Sequence, residues 1–339
     1  MIVRSRAPLR VSFGGGGTDV PPYSDERGGA VLSVTIDKYA YASLRTTDDA
    51  TVSVRSLDYD VVAKYAIDQP LEMDGSLDLV KACLNRTRDV KPTQGIEVFL
   101  HSDAPPGSGL GSSSTMAVAV IGMMRQWKNL PLSDYEVAET ALAVERQDLG
   151  IAGGKQDQYA AVFGGVNFIE FHKDTVIVNP LRIKAETINE LQYMCLLAYT
   201  GKTRLSDGII RKQQEGFEKQ VVDVIAAMDE IKQIAVDMKG ALLQGRLRDF
   251  AALLHAGWEA KKRMAGPISN PHINELYDIA RQHGALGGKI LGAGGGGYML
   301  VMCEFDKKHI VAERMEKAGA QPVEFAFDHA GLQTWEVRE

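Results

Sequence analysis

The stretch from Asp103 to Met116, DAPPGSGLGSSSTM, constrains this chain more than any other. It joins the strand-like run GIEVFLHSD to the helix-like run TMAVAVIGMMRQWKN, so Gly107, Gly109 and Gly111 stand at the mouth of a helix. Glycine lacks a Cβ and enters left-handed backbone freely, which lets successive N–H groups converge on one point. The positive end of the helix dipole lies at the same place, and the two effects together suit a phosphate. Ser112, Ser113, Ser114 and Thr115 follow at once and offer hydroxyls to a phosphate or to Mg²⁺.

The rest of the chain is read around that loop. MIVRSRAPLRVSF, GAVLSVTIDKYAYASLRT, TVSVRS and VVAKYAI show the alternation and β-branched content of strands. SLDLVKACLNRTR, residues 76 to 88, reads as a helix, and Ser133 with Glu136 three positions later forms a capping box. LQYMCLLAYT predicts a strand, and helical patterns dominate from about residue 205 to 283. HGALGGKILGAGGGGYMLVMCEF reads as glycine loop then strand, and KKHIVAERMEKAG as a closing helix. The expected class is α+β in both halves. At 339 residues without repeats or long linkers, the chain divides into two closely packed domains, 1–180 and 181–339.

Several classes are excluded. A net charge of -6 does not suit a general nucleic-acid binder. The start, MIVRSRAPLR, has no apolar signal core, and no run of 18 apolar residues predicts a membrane span. Cys83, Cys195 and Cys303 have neither metal-ligand nor disulfide spacing, which fits a reducing cytoplasm. A P-loop needs a lysine after its glycines; none follows Gly111, and Leu196 stands where TGKT would need its first glycine. Gly292, Gly294 and Gly297 match G-x-G-x-x-G, yet they lead into the strand YMLVMCEF where a dinucleotide site requires a helix.

PPGSGLGSSST resembles the central phosphate-binding motif of the GHMP kinases, the family of galactokinase, homoserine kinase, mevalonate kinase and phosphomevalonate kinase. RAPLRVSFGGGGTD resembles the family's first motif and KILGAGGGGYML its third, in the family's order and across nearly the whole chain. The resemblance implies an ATP- and Mg²⁺-dependent phosphotransferase. Its N-terminal domain would be like ribosomal protein S5 domain 2, and its C-terminal domain ferredoxin-like.

Carried over residue by residue, the ATP phosphates fall to Pro106, Gly107, Ser108, Gly109, Leu110 and Gly111, with Ser112, Ser113 and Ser114. The family places Mg²⁺ between a serine of this motif and a helix carboxylate. Ser113 is the best match, with Ser112 and Ser114 as rivals, and Glu145 is the carboxylate, with Asp148 as runner-up. Asp157 matches the family's catalytic base, and Arg10 the cation that keeps it ionised. Gly16, Gly17, Thr18 and Asp19 match the sugar-reading segment, and Gly295 and Gly296 the loop that closes over the site.

Galactokinase-like members read G-E-H-T-D-Y where this chain has GGGGTDVPPY. That form is closer to the branch acting on fucose and on D-glycero-D-manno-heptose 7-phosphate, and the length suits the latter, bifunctional fucokinases being much longer. The implied partner is therefore a small-molecule sugar phosphate, phosphorylated at its anomeric hydroxyl, with no nucleic acid and no membrane. Lys202 and Arg204 are the cations expected at the substrate phosphate, each more often a solvated surface charge. A fucose or galactose kinase and a non-catalytic sugar or nucleotide sensor remain as alternatives. A homodimer is left open.

Overall fold

The computed structural model describes residues 1–87, 94–201 and 207–338. The β-branched runs of the first third become strands of a nine-stranded sheet. Ile2–Gly14 and Gly29–Thr47 form its long antiparallel spine, paired from Ile2↔Arg45 to Gly14↔Leu32 with register shifts between Pro8 and Arg10 and between Ser12 and Gly14. Gly95–Ser102 pairs antiparallel with that spine and takes Thr51–Ser56 in parallel. The strand leads straight into the second glycine loop and the helix Ser112–Lys128, which is apolar almost all round. Such a helix belongs inside a core, and Ala117 to Ile121 are completely buried here.

In the second half, Cys195–Tyr199, Ala285–Ile290, Tyr298–Cys303 and Gln321–Val323 make a four-stranded antiparallel sheet. Numbered along the chain, their spatial order is 4-1-3-2, the ferredoxin-like order. Among the described residues the first crossover carries four α-helices, Asp207–Glu218, Val222–Leu243, Leu247–Met264 and Pro271–Gln282. The α+β class and the expected capping box both hold; Ser133 accepts from Glu136 N, and Glu136 reaches back to Ser133 N.

Two local expectations are corrected. Leu191 to Met194 end the helix Ala185–Met194, and the strand begins only at Cys195. Leu191 and Met194 are buried three residues apart, a helical spacing that a ten-residue apolar run conceals. The segment around Gly287 and Gly288 is strand, not loop. A Cβ at Gly287 would lie 2.1 Å from the Ala251 carbonyl oxygen, so glycine there lets the helix Leu247–Met264 press onto the sheet.

The two halves share material. Gln333–Val337 returns to pair with the first strand, and Phe327–Asp328 pairs with Gly29–Thr47, so the chain's last residues cross residue 180 to complete the first sheet. Leu9, Val11 and Phe13 share one core with Ile234, Met238, Phe250 and Leu300. The Phe13 and Phe250 rings meet edge to face at 5.1 Å. This seam runs along Ile2–Gly14, which carries Arg10 and ends where the first glycine loop begins. Among the described residues no helix is long and apolar enough to cross a membrane.

Candidate active site

The second and third glycine loops touch backbone to backbone. A Cβ at Gly109 would lie 2.6 Å from the Leu291 carbonyl oxygen, and one at Gly292 would lie 2.7 Å from Gly109 Cα. Tyr298 N donates to Ser108 O at 3.0 Å across the same contact. Gly111 is the left-handed residue that starts the helix Ser112–Lys128, and a Cβ on it would come within 3.1 Å of Asp157 Cγ. The bare backbone therefore brings a helix N-terminus, with its free N–H groups, directly beside a carboxylate. Among the described residues, the buried Ser108 Oγ has no hydrogen-bond partner there.

Arg10 ties this cradle together. Its Nε donates to Asp157 Oδ1 at 2.7 Å, its Nη2 lies 2.6 Å from the same oxygen, and its Nη1 donates to Gly109 O at 2.7 Å. The Arg10 side chain is 4% exposed while that of Asp157 is 24% exposed. The cation is thus the buried support, and the carboxylate keeps a face toward the cleft. A planar fork can bind an anion and a loop carbonyl at once; an ammonium on a flexible stem is less suited to both.

Glu145 is almost wholly buried and sits on a π-helical turn, Val144–Asp148, where Leu149 N reaches back five residues to Val144 O at 3.2 Å. Such single wide turns recur at functional sites because they displace one side chain from the helical register. Ser114 Oγ lies 3.0 and 2.8 Å from the two Glu145 oxygens, and Gln158 Nε2 donates to Oε2 as well. Burial pushes the Glu145 carboxyl up, while Arg146 and the bond from Ser114 act against it. Ser113, one residue earlier, faces solvent at the cradle. Asp148, the alternative carboxylate, is turned to Arg86, whose Nη2 donates to it at 2.8 Å.

The first glycine loop closes the other side. Asp19 is completely buried; its Oδ1 accepts from Gly17 N at 2.9 Å, and its Oδ2 from Gln156 N and Nε2, both at 3.1 Å. Thr18 spends its hydroxyl on Gly15 O at 2.8 Å and Ala30 O at 3.1 Å, so it fastens the loop to the sheet. Gly16 is the open position, facing Ser12 Oγ and the Gln156 amide at 3.5 and 3.6 Å from where a Cβ would be. Ser12 Oγ and Gln156 Oε1 are buried and have no hydrogen-bond partner among the described residues.

The structure thus brings Arg10, Asp157, Glu145, Asp19 and the residues from Pro106 to Ser114 into one region. Gly295 and Gly296 line a neighbouring cleft of about 330 Å³ with Thr200, Asn270 and His272. Lys202 and Arg204 lie outside the described residues.

Sequence reasoning passed over Ser12, Gln156, Gln158 and two buried lysines, Lys261 and Lys289. Lys289 donates to Phe13 O at 3.3 Å, and burial pulls its ammonium well below the ordinary lysine range, with Lys261 and Arg10 adding to the effect. The signal for Lys289 was present, since it stands three residues before Gly292.

An S5-like half and a ferredoxin-like half meeting at glycine loops around an Arg–Asp pair define a kinase of small molecules. The family models described as "GHMP kinases N terminal domain" and "GHMP kinases C terminal" match residues 78–165 and 238–321, and the chain belongs to the GHMP kinase family, whose members take phosphate from ATP. Over 340 residues it is 39% identical to a D-glycero-alpha-D-manno-heptose 7-phosphate kinase of Campylobacter jejuni, covering 99% of each chain. A crystal structure described as a D-glycero-D-manno-heptose 1-phosphate kinase from Bacteriodes thetaiotaomicron superposes with a TM-score of 0.83 at 36% identity, covering 99% of this chain and 100% of that one. An L-fucokinase/L-fucose-1-P guanylyltransferase of Bacteroides fragilis is 29% identical over 98% of this chain but only 38% of its own length.

Proposed function

We propose that this kinase transfers the γ-phosphate of ATP to the anomeric hydroxyl of D-glycero-D-manno-heptose 7-phosphate, giving the 1,7-bisphosphate. The observation that carries the reading is the Arg10–Asp157 pair set against the second glycine loop, in a chain 39% identical along its length to a kinase of that name. Phosphoryl transfer asks the protein mainly for positioning, charge neutralisation and help in removing one proton. Asp157, gripped by the Arg10 guanidinium, receives the proton of the attacking hydroxyl. Backbone N–H groups of the second glycine loop and of Ser112 to Ser114 hold the donor phosphates at the helix N-terminus. Asp19 orders Gly17 and Gln156, beside the open Gly16, where sugar hydroxyls would lie.

The residues fit ATP, since the cradle combines free helix N–H groups with the unpartnered Ser108 hydroxyl. They also fit Mg²⁺. No group of three metal-ligating side chains occurs among the described residues. Mg²⁺, however, takes one or two hard protein oxygens and completes its shell with phosphates and water. Ser113 and Glu145 would supply those oxygens, with Ser114 and Gln158 holding the carboxylate in place. Held there, Mg²⁺ would supply charge neutralisation for the phosphates. Glu145→Gln and Ser113→Ala are each expected to raise the Mg²⁺ concentration for half-maximal activity about tenfold. Titrations that overlay wild type would remove the pair from metal binding. A cytoplasmic location suits the three cysteines, which are all free and buried.

The test is kcat/KM, from ADP release, for heptose 7-phosphate, the unphosphorylated heptose, fucose, galactose and mevalonate. Heptose 7-phosphate should lead the unphosphorylated sugar by about 10²-fold or more, because a site built for a phosphate loses charge-assisted bonds without it. Neutralising Lys202 or Arg204 should reduce turnover of the phosphorylated sugar alone. Preference for fucose, galactose or mevalonate would overturn the heptose assignment and leave the kinase. Saturable sugar binding with no ADP release would instead indicate a sensor.

A further inference from the structure

Lys261 lies on the helix Leu247–Met264, 5% exposed, in the same buried stripe as Trp258 and Met264 one turn to either side. Lysine on such a stripe is costly, because an ammonium removed from water needs partners for three donors. Among the described residues it pairs with no carboxylate and donates to one neutral group, the carbonyl of Gly292. Gly292 is the residue that touches Gly109, and the Gly109 carbonyl accepts from Arg10. One cation from each half of the molecule therefore holds one of the two touching glycine loops.

The same helix and the turn after it make further contacts with this region. A Cβ at Gly17 would lie 2.7 Å from Met264 Cε, and Gly295 N donates to Ile268 O at 2.9 Å. The first and third loops thus rest on one support.

We propose that Lys261, as an ammonium, is a positioning residue for phosphoryl transfer, fixing the third glycine loop against the phosphate cradle through the Gly292 carbonyl. The inference rests on the kinase reading above. The charged bond to a carbonyl is stronger than the neutral one, and it fixes the turn at Gly292 against Gly109 of the cradle. The charged groups facing Lys261 are Arg10, Asp19 and Asp157, with Lys289 on the adjoining strand. Burial, chiefly, and Arg10 pull the Lys261 ammonium down to about 8, against the two carboxylates. Lys261 is protonated below that pH and loses its charge as pH rises through it, so activity that needs the charge falls on the alkaline side.

The measurement is the pH dependence of kcat/KM for ATP and heptose 7-phosphate, which reports groups of the free enzyme. Wild type should show an alkaline limb near pH 8. Lys261→Met should lower kcat/KM at neutral pH by about 10–100-fold and lose that limb. Lys261→Arg should recover much of the activity and hold it beyond pH 9, since guanidinium stays charged. Thermal melting confirms that each variant is folded. A limb near pH 8 that persists in Lys261→Met, or activity of that variant within threefold of wild type, overturns the inference. So does a wild-type profile flat to about pH 9.5, even should neither variant fold. A wild type that releases no ADP with any sugar overturns the kinase reading instead, which keeps the two failures apart.

Discussion

Asp157→Asn is expected to lower kcat by about 10²–10⁴-fold while ATP affinity stays within about threefold of wild type. The substitution keeps the shape of the side chain but removes its capacity to take a proton. It also leaves the Arg10 guanidinium, buried to 4% exposure, without its anion. Both losses fall on the transition state, where the acceptor oxygen gains charge, and the range corresponds to about 3–5 kcal/mol of activation free energy. In the proposed reading, nucleotide affinity rests mainly on backbone N–H groups of the second glycine loop, which an isosteric amide at 157 should not disturb. Single-turnover rates and nucleotide titration on the same folded sample separate the two quantities. A variant turning over within threefold of wild type would remove Asp157 from the chemistry.

The second large effect is expected at Arg10. Arg10→Met deletes the contacts at 2.7 and 2.6 Å to Asp157 and the 2.7 Å bond to Gly109 O in one step. It frees Asp157 and loosens the cradle together, so kcat/KM should fall about 10³-fold, as for residues that serve electrostatics and position at once. Arg10→Lys should recover only part of this, since one ammonium cannot reproduce a planar fork aimed at both a carboxylate and a carbonyl. Wild-type kinetics for Arg10→Lys would show that charge alone suffices. Activity of Arg10→Met within tenfold of wild type would contradict the account of the pair. The fold should survive both changes, because Phe13 and its apolar neighbours hold the seam.

Features written in local sequence were readable. The glycine loop at a helix start, the Ser133 capping box and the helices of the second half rest on spacing and turn chemistry alone. What needed coordinates was long-range. Ser112, Ser113 and Ser114 are neighbours about 100° apart around a helix, and which of them meets Glu145 depends on a π-helical turn that no propensity announces. The same turn separates Glu145 from Asp148, sending one inward to Ser114 and the other out to Arg86. Gly287 and Gly288 looked like a loop because what requires them bare is distant in sequence: the helix Leu247–Met264 presses on Gly287, and the strand Tyr298–Cys303 on Gly288. Lys261 was visible in principle: Leu254, Trp258, Lys261 and Met264 recur at helical spacing, and a lysine on that apolar stripe marks a buried charge.

The most direct test of the central claim is phosphorus NMR of the product formed from ATP, Mg²⁺ and heptose 7-phosphate. The account predicts a new phosphomonoester whose phosphorus couples to the anomeric proton, the original 7-phosphate signal retained, and ADP formed in step with the sugar product. Phosphate appearing on any other oxygen, or ATP consumed while the sugar stays unchanged, would contradict it.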